Sequence, residues 1–433
     1  MTQKTDVVFS DTRQGIARAV EEVFSHFGGV GALLKSSGDV YLKVNGVDHK
    51  AYAYTDPEVL RQVITHLKAR GAKTVYVIEN CTQGNITRLV FRVTGFDRVC
   101  RETGAVPVYL DETDAVPIWL EGLKSFVDIS AFVYERLIEN AEKNLYISLP
   151  KLKTHSMSQV TLSIKNQFGL IHQGSRIADH NFNLHRKFAD IYRVLRPDFA
   201  IIDGLIATNH GHYLAEKFTD QCVIPVDCLI GGADPLAVDT IAASFLGYAL
   251  ADVPHLELSA RTGIGCADPD RIDIINSHLF DERRQQLTHQ LLDRFPPELT
   301  ILRGKTRCCA EGCRRNTETV VEVFHNDHNG RGDFTILMGK DINPEAVAAI
   351  RPPVHVAGSC AISDYGPQLV RRFGRRKVTF SRGCNNLSET VYALCKWMKV
   401  NPLDLAGTNP ASALMALVKA RVNGTRAIIP PLF

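Results

Sequence analysis

The stretch DPEVLRQVITHLKARGAKTVYVIE, residues 56–79, decides the fold. Asp56 is a helix N-cap, and Pro57 takes the first helical position, where a missing N–H costs nothing. Val59, Val63, Ile64 and Leu67 recur at helical spacing until Gly71 stops the pattern. Val75-Tyr76-Val77-Ile78 then reads as a strand buried on both faces. Upstream, Val40-Tyr41-Leu42-Lys43-Val44 predicts a companion strand. Two strands flanking one helix are the unit of a parallel α/β sheet.

The alternation extends both ways. Residues 11–36 read as a helix on the spacing of Ile16, Val20, Val23 and Phe24, with Gly28-Gly29 ending the pattern. Residues 106–110, 145–149, 199–203 and 226–230 predict further strands, and a helix begins at Pro235. The expected architecture is α/β: a large, mainly parallel domain over 1–297, then a smaller α/β, Cys-rich domain over 298–433. A charged helix over 281–297, ending in Phe295-Pro296-Pro297, marks the boundary. In such sheets the loops after the carboxyl ends of strands carry ligands.

At 433 residues, 45% hydrophobic and 22% charged, the chain is globular, which excludes disorder, collagen-like repeats and coiled coil as the main architecture. The net charge of +3 hides a division. Residues 301–433 hold 19 Lys+Arg against 10 Asp+Glu, and the rest hold 31 against 37. The same basic third holds six of the 11 Cys. The N-terminus, MTQKTDVVFSDTRQG, has no apolar signal region, and no run nears the roughly 18 apolar residues of a membrane span. The expected compartment is the cytoplasm, where clustered Cys point to metal or catalysis rather than to disulfides.

Pro150-Lys151-Leu152-Lys153-Thr154-His155 leaves a strand and concentrates cationic and hydroxyl groups. A helix over 158–168 would place Thr161 and Lys165 on one face. With Lys43, these groups can converge on a carboxylate or phosphate; a solvated basic surface is the plain alternative. His172, His180 and His185 are metal or acid–base candidates, though loop histidines are commoner. The same holds for His210 and His212. Asp203 ends a strand, Asp239 lies in the next helix, and Asp234 is explained by capping.

The pieces VYLKVNG (40–46), YTDPEVLRQVITHLKARGAKTVYVIE (54–79), YISLPKLKTHSMSQVTLSIKNQFGLI (146–171), PDFAIIDGLIA (197–207) and LIGGADPLAVDTIAASFLG (229–247) resemble domain-of-unknown-function family 362, over roughly residues 37–270. The resemblance implies an α/β domain with a polar site built from Lys151, Lys153, His155, Thr161, Lys165, Asn166, Asp203 and Asp239. It also implies an association with iron–sulfur clusters and redox or anaerobic metabolism, without one established reaction. Here the first strand ends Lys43-Val44-Asn45, where the family usually has Lys-Pro-Asn. The tight ferredoxin run of four cysteines is missing.

The basic third offers other ligands. Cys308, Cys309 and Cys313 open it, and Cys360 and Cys384 each follow a predicted strand beside Gly. Cys309, Cys313, Cys360 and Cys384 form a four-thiolate candidate, with small neighbours that let backbone N–H groups reach cluster sulfurs. Separated Gly-Cys loops of this kind also resemble the C-terminal part of some relatives. A [4Fe–4S] cluster is favoured over zinc, which usually takes two close Cys pairs; buried structural thiols are the plain reading, and it suits Cys395. The choice between Cys308 and Cys309 stays open. No Gly-rich dinucleotide fingerprint is present, and flavin is left open. The run Arg371-Arg372-Phe373-Gly374-Arg375-Arg376-Lys377 suits a solvated helix end or an acidic electron-carrier partner better than nucleic acid.

The expected function is an iron–sulfur-dependent oxidoreductase acting on an anionic small molecule. His155, Lys153 and Lys165 are its expected catalytic residues, and Lys43, Lys151, Thr161, Asn166, Asp203 and Asp239 bind substrate. A non-catalytic electron-transfer or redox-sensing protein is the first alternative, and a metal-dependent lyase or isomerase without net redox the second. A homo-oligomer is left open.

Overall fold

The computed structural model describes residues 4–210, 214–287, 295–406 and 408–427. His212 and most of the second half of the expected helix over 281–297 lie outside them; the described helix there is Ser277–Arg283.

The larger sheet has ten strands. Across it run Ile272–Ile275, Thr5–Asp11, Val223–Gly232, Phe199–Thr208, Leu145–Leu149, Asp39–Val44, Thr74–Glu79 and Val106–Tyr109. Most pairings are parallel, but Val223–Gly232 runs antiparallel to both of its neighbours. Both faces are covered. In Asp39–Val44, Val40, Leu42 and Val44 enter the core on one face and Tyr41 enters the core on the other. Strand alternation therefore places Lys43 on the Tyr41 side. Helices Ile16–His26 and Pro57–Ala69 pack together over the first face. Asp56 caps the second through the N–H of Glu58, as its sequence predicts.

Three local readings change. Thr5–Asp11 is a strand, and the helix read within 11–36 spans only Ile16–His26, followed by the short Val30–Leu33. Lys151–His155 is a strand rather than a loop, paired parallel with the extension of Phe199–Thr208. The helix expected over 158–168 is one turn, Leu162–Asn166, continued as a tight turn over Gln167–Leu170. Each follows from long-range pairing, which local periodicity does not register.

The second sheet has four parallel strands in sequence order, Thr300–Arg303, Thr335–Met338, Val354–Ala357 and Val378–Ser381. Its carboxyl ends run into Gly304–Cys309, Gly339, Gly358–Cys360 and Arg382–Cys384, so chain direction gathers the cysteine loops at one edge. Helices Arg315–Asp327 and Leu387–Met398 pack together beside it. The C-terminal helix Pro410–Val422 returns to the larger body, burying Ala413, Ala416, Leu417 and Ala420 against Ile86 and Leu89. Among the described residues, no helix is long and apolar enough to cross a membrane.

Candidate functional site

A cavity of about 570 Å³ opens between the two sheets' domains. Lys43, Lys153, His155, Thr161, Lys165 and Asn166 all line it. Lys151, Asp203 and Asp239 do not. Lys151 Nζ lies 3.0 Å from Asp203 Oδ2, and both are buried. Asp203 also accepts the N–H groups of Asp56 and Leu205. Asp239 accepts the N–H groups of Ser163 and Ile164 at 2.8 and 2.7 Å, fastening the short helix that carries Lys165. Burial lifts the Asp239 carboxyl to about 8, against the pull of those two bonds. These three residues support the site from behind its wall.

On the wall, Lys43 pairs with Glu79 at 2.5 Å and donates to the Val44 carbonyl. Asn166 holds the pair in place by accepting from Lys43 and Asn45 while donating to the Lys43 carbonyl. Gly169 is required there, since a Cβ would stand 2.6 Å from Glu79 Oε1 and 2.8 Å from Lys43 Nζ. Lys153 donates to the Ala53 carbonyl. Among the described residues, no carboxylate lies within ion-pair distance of Lys153, Lys165 or Arg176. Burial pushes the Lys165 ammonium down to about 7, with the charges of Lys43 and Arg176 adding to it. Lys153 is driven well below the usual lysine range by burial, then by Lys165 and Lys151. His155 Nδ1 accepts the Met157 N–H, which leaves a neutral ring's proton on Nε2. Buried Thr161 Oγ1, Asn45 Oδ1 and Asn80 Oδ1 have no hydrogen-bond partner among the described residues. The wall thus offers basic groups with no carboxylate at ion-pair distance and unused polar atoms, the complement of a polar anion.

The histidines disperse. His172 caps the helix Gln173–Ala178, and His185 stacks on His255. His180 alone of the three reaches the cavity, and burial holds it down to about 3. Glu79, Arg176, His180 and Asn181 complete the near wall. The position of Glu79-Asn80 at a strand end was the only local signal; nothing local marks Arg176.

The cysteines come together. Cys313 is pushed up to about 12 by burial and then by the charges of Cys384, Cys309, Cys308 and Cys360. Cys384 is raised to about 11 by burial, then by Asp179, Cys309 and Cys360. Cys308 packs instead on Gly339, whose Cβ would fall 2.9 Å from that of Cys308. All these thiols are free. Gly358, at φ +87°, lies so close to Cys313 Sγ that any Cβ would collide with it. Cys313 is buried, Cys360 and Cys384 are half-buried and Cys309 is exposed; four thiols of this kind fit the donor set of an iron–sulfur cluster. Among the described residues, no three His, Cys, Asp or Glu side chains are grouped to hold a single metal ion.

The basic run lies elsewhere. Cys360 is in the first turn of Ser359–Phe373 and Arg371-Arg372 in the last, about 16 Å apart at helical rise. The run therefore sits at the opposite end of the sheet from the cysteine loops.

One residue joins the two features. Asn181 lines the cavity, and its Nδ2 donates to the carbonyls of Cys384 at 2.9 Å and Asn385 at 3.3 Å.

The family model described as Domain of unknown function (DUF362) matches residues 40–244. The Thylakoid-associated protein sll1697 of Synechocystis sp. is 24% identical over 249 residues, 55% of this chain and 72% of that protein. The lactate racemase apoprotein of Thermoanaerobacterium thermosaccharolyticum superposes with a TM-score of 0.41 at 10% identity, covering 99% of this chain and 93% of that one. The near wall of the cavity, from Lys43 through Lys153 and Lys165 to Arg176, falls inside residues 40–244, the span that matches the DUF362 family model.

Proposed function

We propose that this chain is an iron–sulfur-dependent enzyme that performs redox chemistry on an anionic small molecule held in the cavity. The observation that carries the reading is Asn181, which borders both the cationic wall and the cysteine loop. Lys153, Lys165 and Arg176, which have no carboxylate at ion-pair distance among the described residues, give a carboxylate or phosphate its countercharge. Cys309, Cys313, Cys360 and Cys384 would hold a [4Fe–4S] cluster. A cluster suits them because each thiolate binds a different iron, spreading the ligands farther apart than a single ion does.

Held by all four thiolates, a cluster would supply one-electron transfer. The chain's own residues bind, orient and exchange protons. Lys165, poised at about 7, takes up or gives up a proton at Nζ near neutral pH. His155 carries its proton on Nε2. Asn166 and Glu79 fix Lys43.

The test is purification without oxygen, followed by a visible spectrum and assays of iron and acid-labile sulfide. Four irons per chain, lost in Cys384→Ala, are expected; a colourless, iron-free protein refutes the cluster.

A further inference from the structure

Two surfaces of opposite character face each other across the cavity. The near wall is the cationic, polar surface of Lys153, Lys165, Arg176 and Thr161. The far wall comes from the second domain. In helix Arg315–Asp327 the early lining residues Arg315, Asn316 and Thr319 are polar, but Val320, Val323 and Phe324 follow at the spacing of one helical face. Leu387 and Val391, one turn apart on Leu387–Met398, extend the apolar surface, and Leu405 continues it. Val320, Val323 and Val391 pack on the second domain's core from behind and remain partly exposed.

A ligand that used only the near wall would leave this apolar surface facing water, at a cost proportional to its area. The cavity, about 570 Å³, is within the range that accepts organic ligands of many atoms. We infer that the ligand is an amphiphile, with a carboxylate or phosphate head against Lys153, Lys165 and Arg176 and an uncharged apolar body against Val320, Val323, Phe324 and Val391. This rests on the proposed anion-binding role of the same cavity and adds the class of molecule. Charge complementarity orients it: the head turns to the uncompensated cations, so the body lies on the valine face.

Titration calorimetry on the full chain, purified without oxygen, tests this with acetate, octanoate, octyl phosphate and 1-octanol. Octanoate or octyl phosphate should bind at least tenfold tighter than both acetate and octanol, and whichever is tighter identifies the head group. Val323→Ser and Val391→Ser, on different helices, should each weaken the eight-carbon anions about tenfold and leave acetate unchanged, with melting curves confirming that each variant is folded. Equal affinity for acetate and octanoate overturns the amphiphile while leaving anion binding intact. Equal affinity for octanol and octanoate, with Lys153→Gln without effect, overturns the anion reading itself. Binding of none of the four overturns both.

Discussion

Lys43 Nζ and Glu79 Oε1 lie 2.5 Å apart with side chains only 1% and 2% exposed, and no Cβ could fit at Gly169 without striking both. The two residues lie at the carboxyl ends of adjacent parallel strands, Lys43 next to last in its own and in register with Ile78, the residue before Glu79. Breaking a buried pair leaves a buried charge with no partner, which costs about 3–5 kcal/mol. Glu79→Gln should therefore destabilise the protein by about that amount in urea unfolding. A loss under about 0.5 kcal/mol would show that the pair is not intact in solution.

Lys151 and Lys153 are two residues apart and should behave oppositely. Lys151→Ala strands the buried Asp203 carboxylate and should cost about 3–5 kcal/mol, while the folded remainder binds ligand normally. Lys153→Gln removes a buried lysine whose charged form burial disfavours, so stability should hold or rise while anion affinity drops at least tenfold. Unfolding curves and calorimetry on both variants check this.

Anion binding should depend on pH through Lys165. Its ammonium is held at about 7 when the cavity is free, chiefly by burial and then by Lys43 and Arg176. An anion beside it raises that value, so binding takes up a proton above pH 7. Affinity is then full below about pH 7 and falls as pH rises, by up to about tenfold per unit. Calorimetry from pH 6 to 9 in buffers of different ionisation heat measures both effects. Lys165→Gln should abolish the slope; a slope retained in that variant assigns it to another group.

Gly358→Ala should be more damaging than an exposed Gly→Ala change. Its φ of +87° is a conformation that L side chains rarely adopt, and the new methyl collides with Cys313 Sγ. The backbone strain alone is about 1–3 kcal/mol. A lowered melting temperature and iron content below that of the parent protein are expected. The nearby Gly383, also at positive φ (+62°) but with open space around it, should tolerate alanine better and retain more iron.

By itself the sequence determined the local elements and their order. Asp56, Pro57 and Gly71 specify the ends of one helix, and the apolar runs at 40–44 and 75–78 specify its flanking strands, because caps and periodicity act over a few residues. It also marked Lys43, Lys153, His155, Thr161, Lys165 and Asn166, since strand ends and polar residue types are visible locally. Tertiary structure alone decided what each residue does there. Lys151 and Lys153 both point to one face in an alternating strand, yet one is consumed by Asp203 and the other lines the cavity. Arg176 and the Val320–Val323 wall carry no local mark and enter because distant segments pack across the opening. Cys308 likewise meets Gly339, thirty-one residues on in the chain, a contact that no local pattern marks. Which partner a charge or thiol meets is set by long-range strand order and close packing, and neither is encoded in the spacing of neighbours.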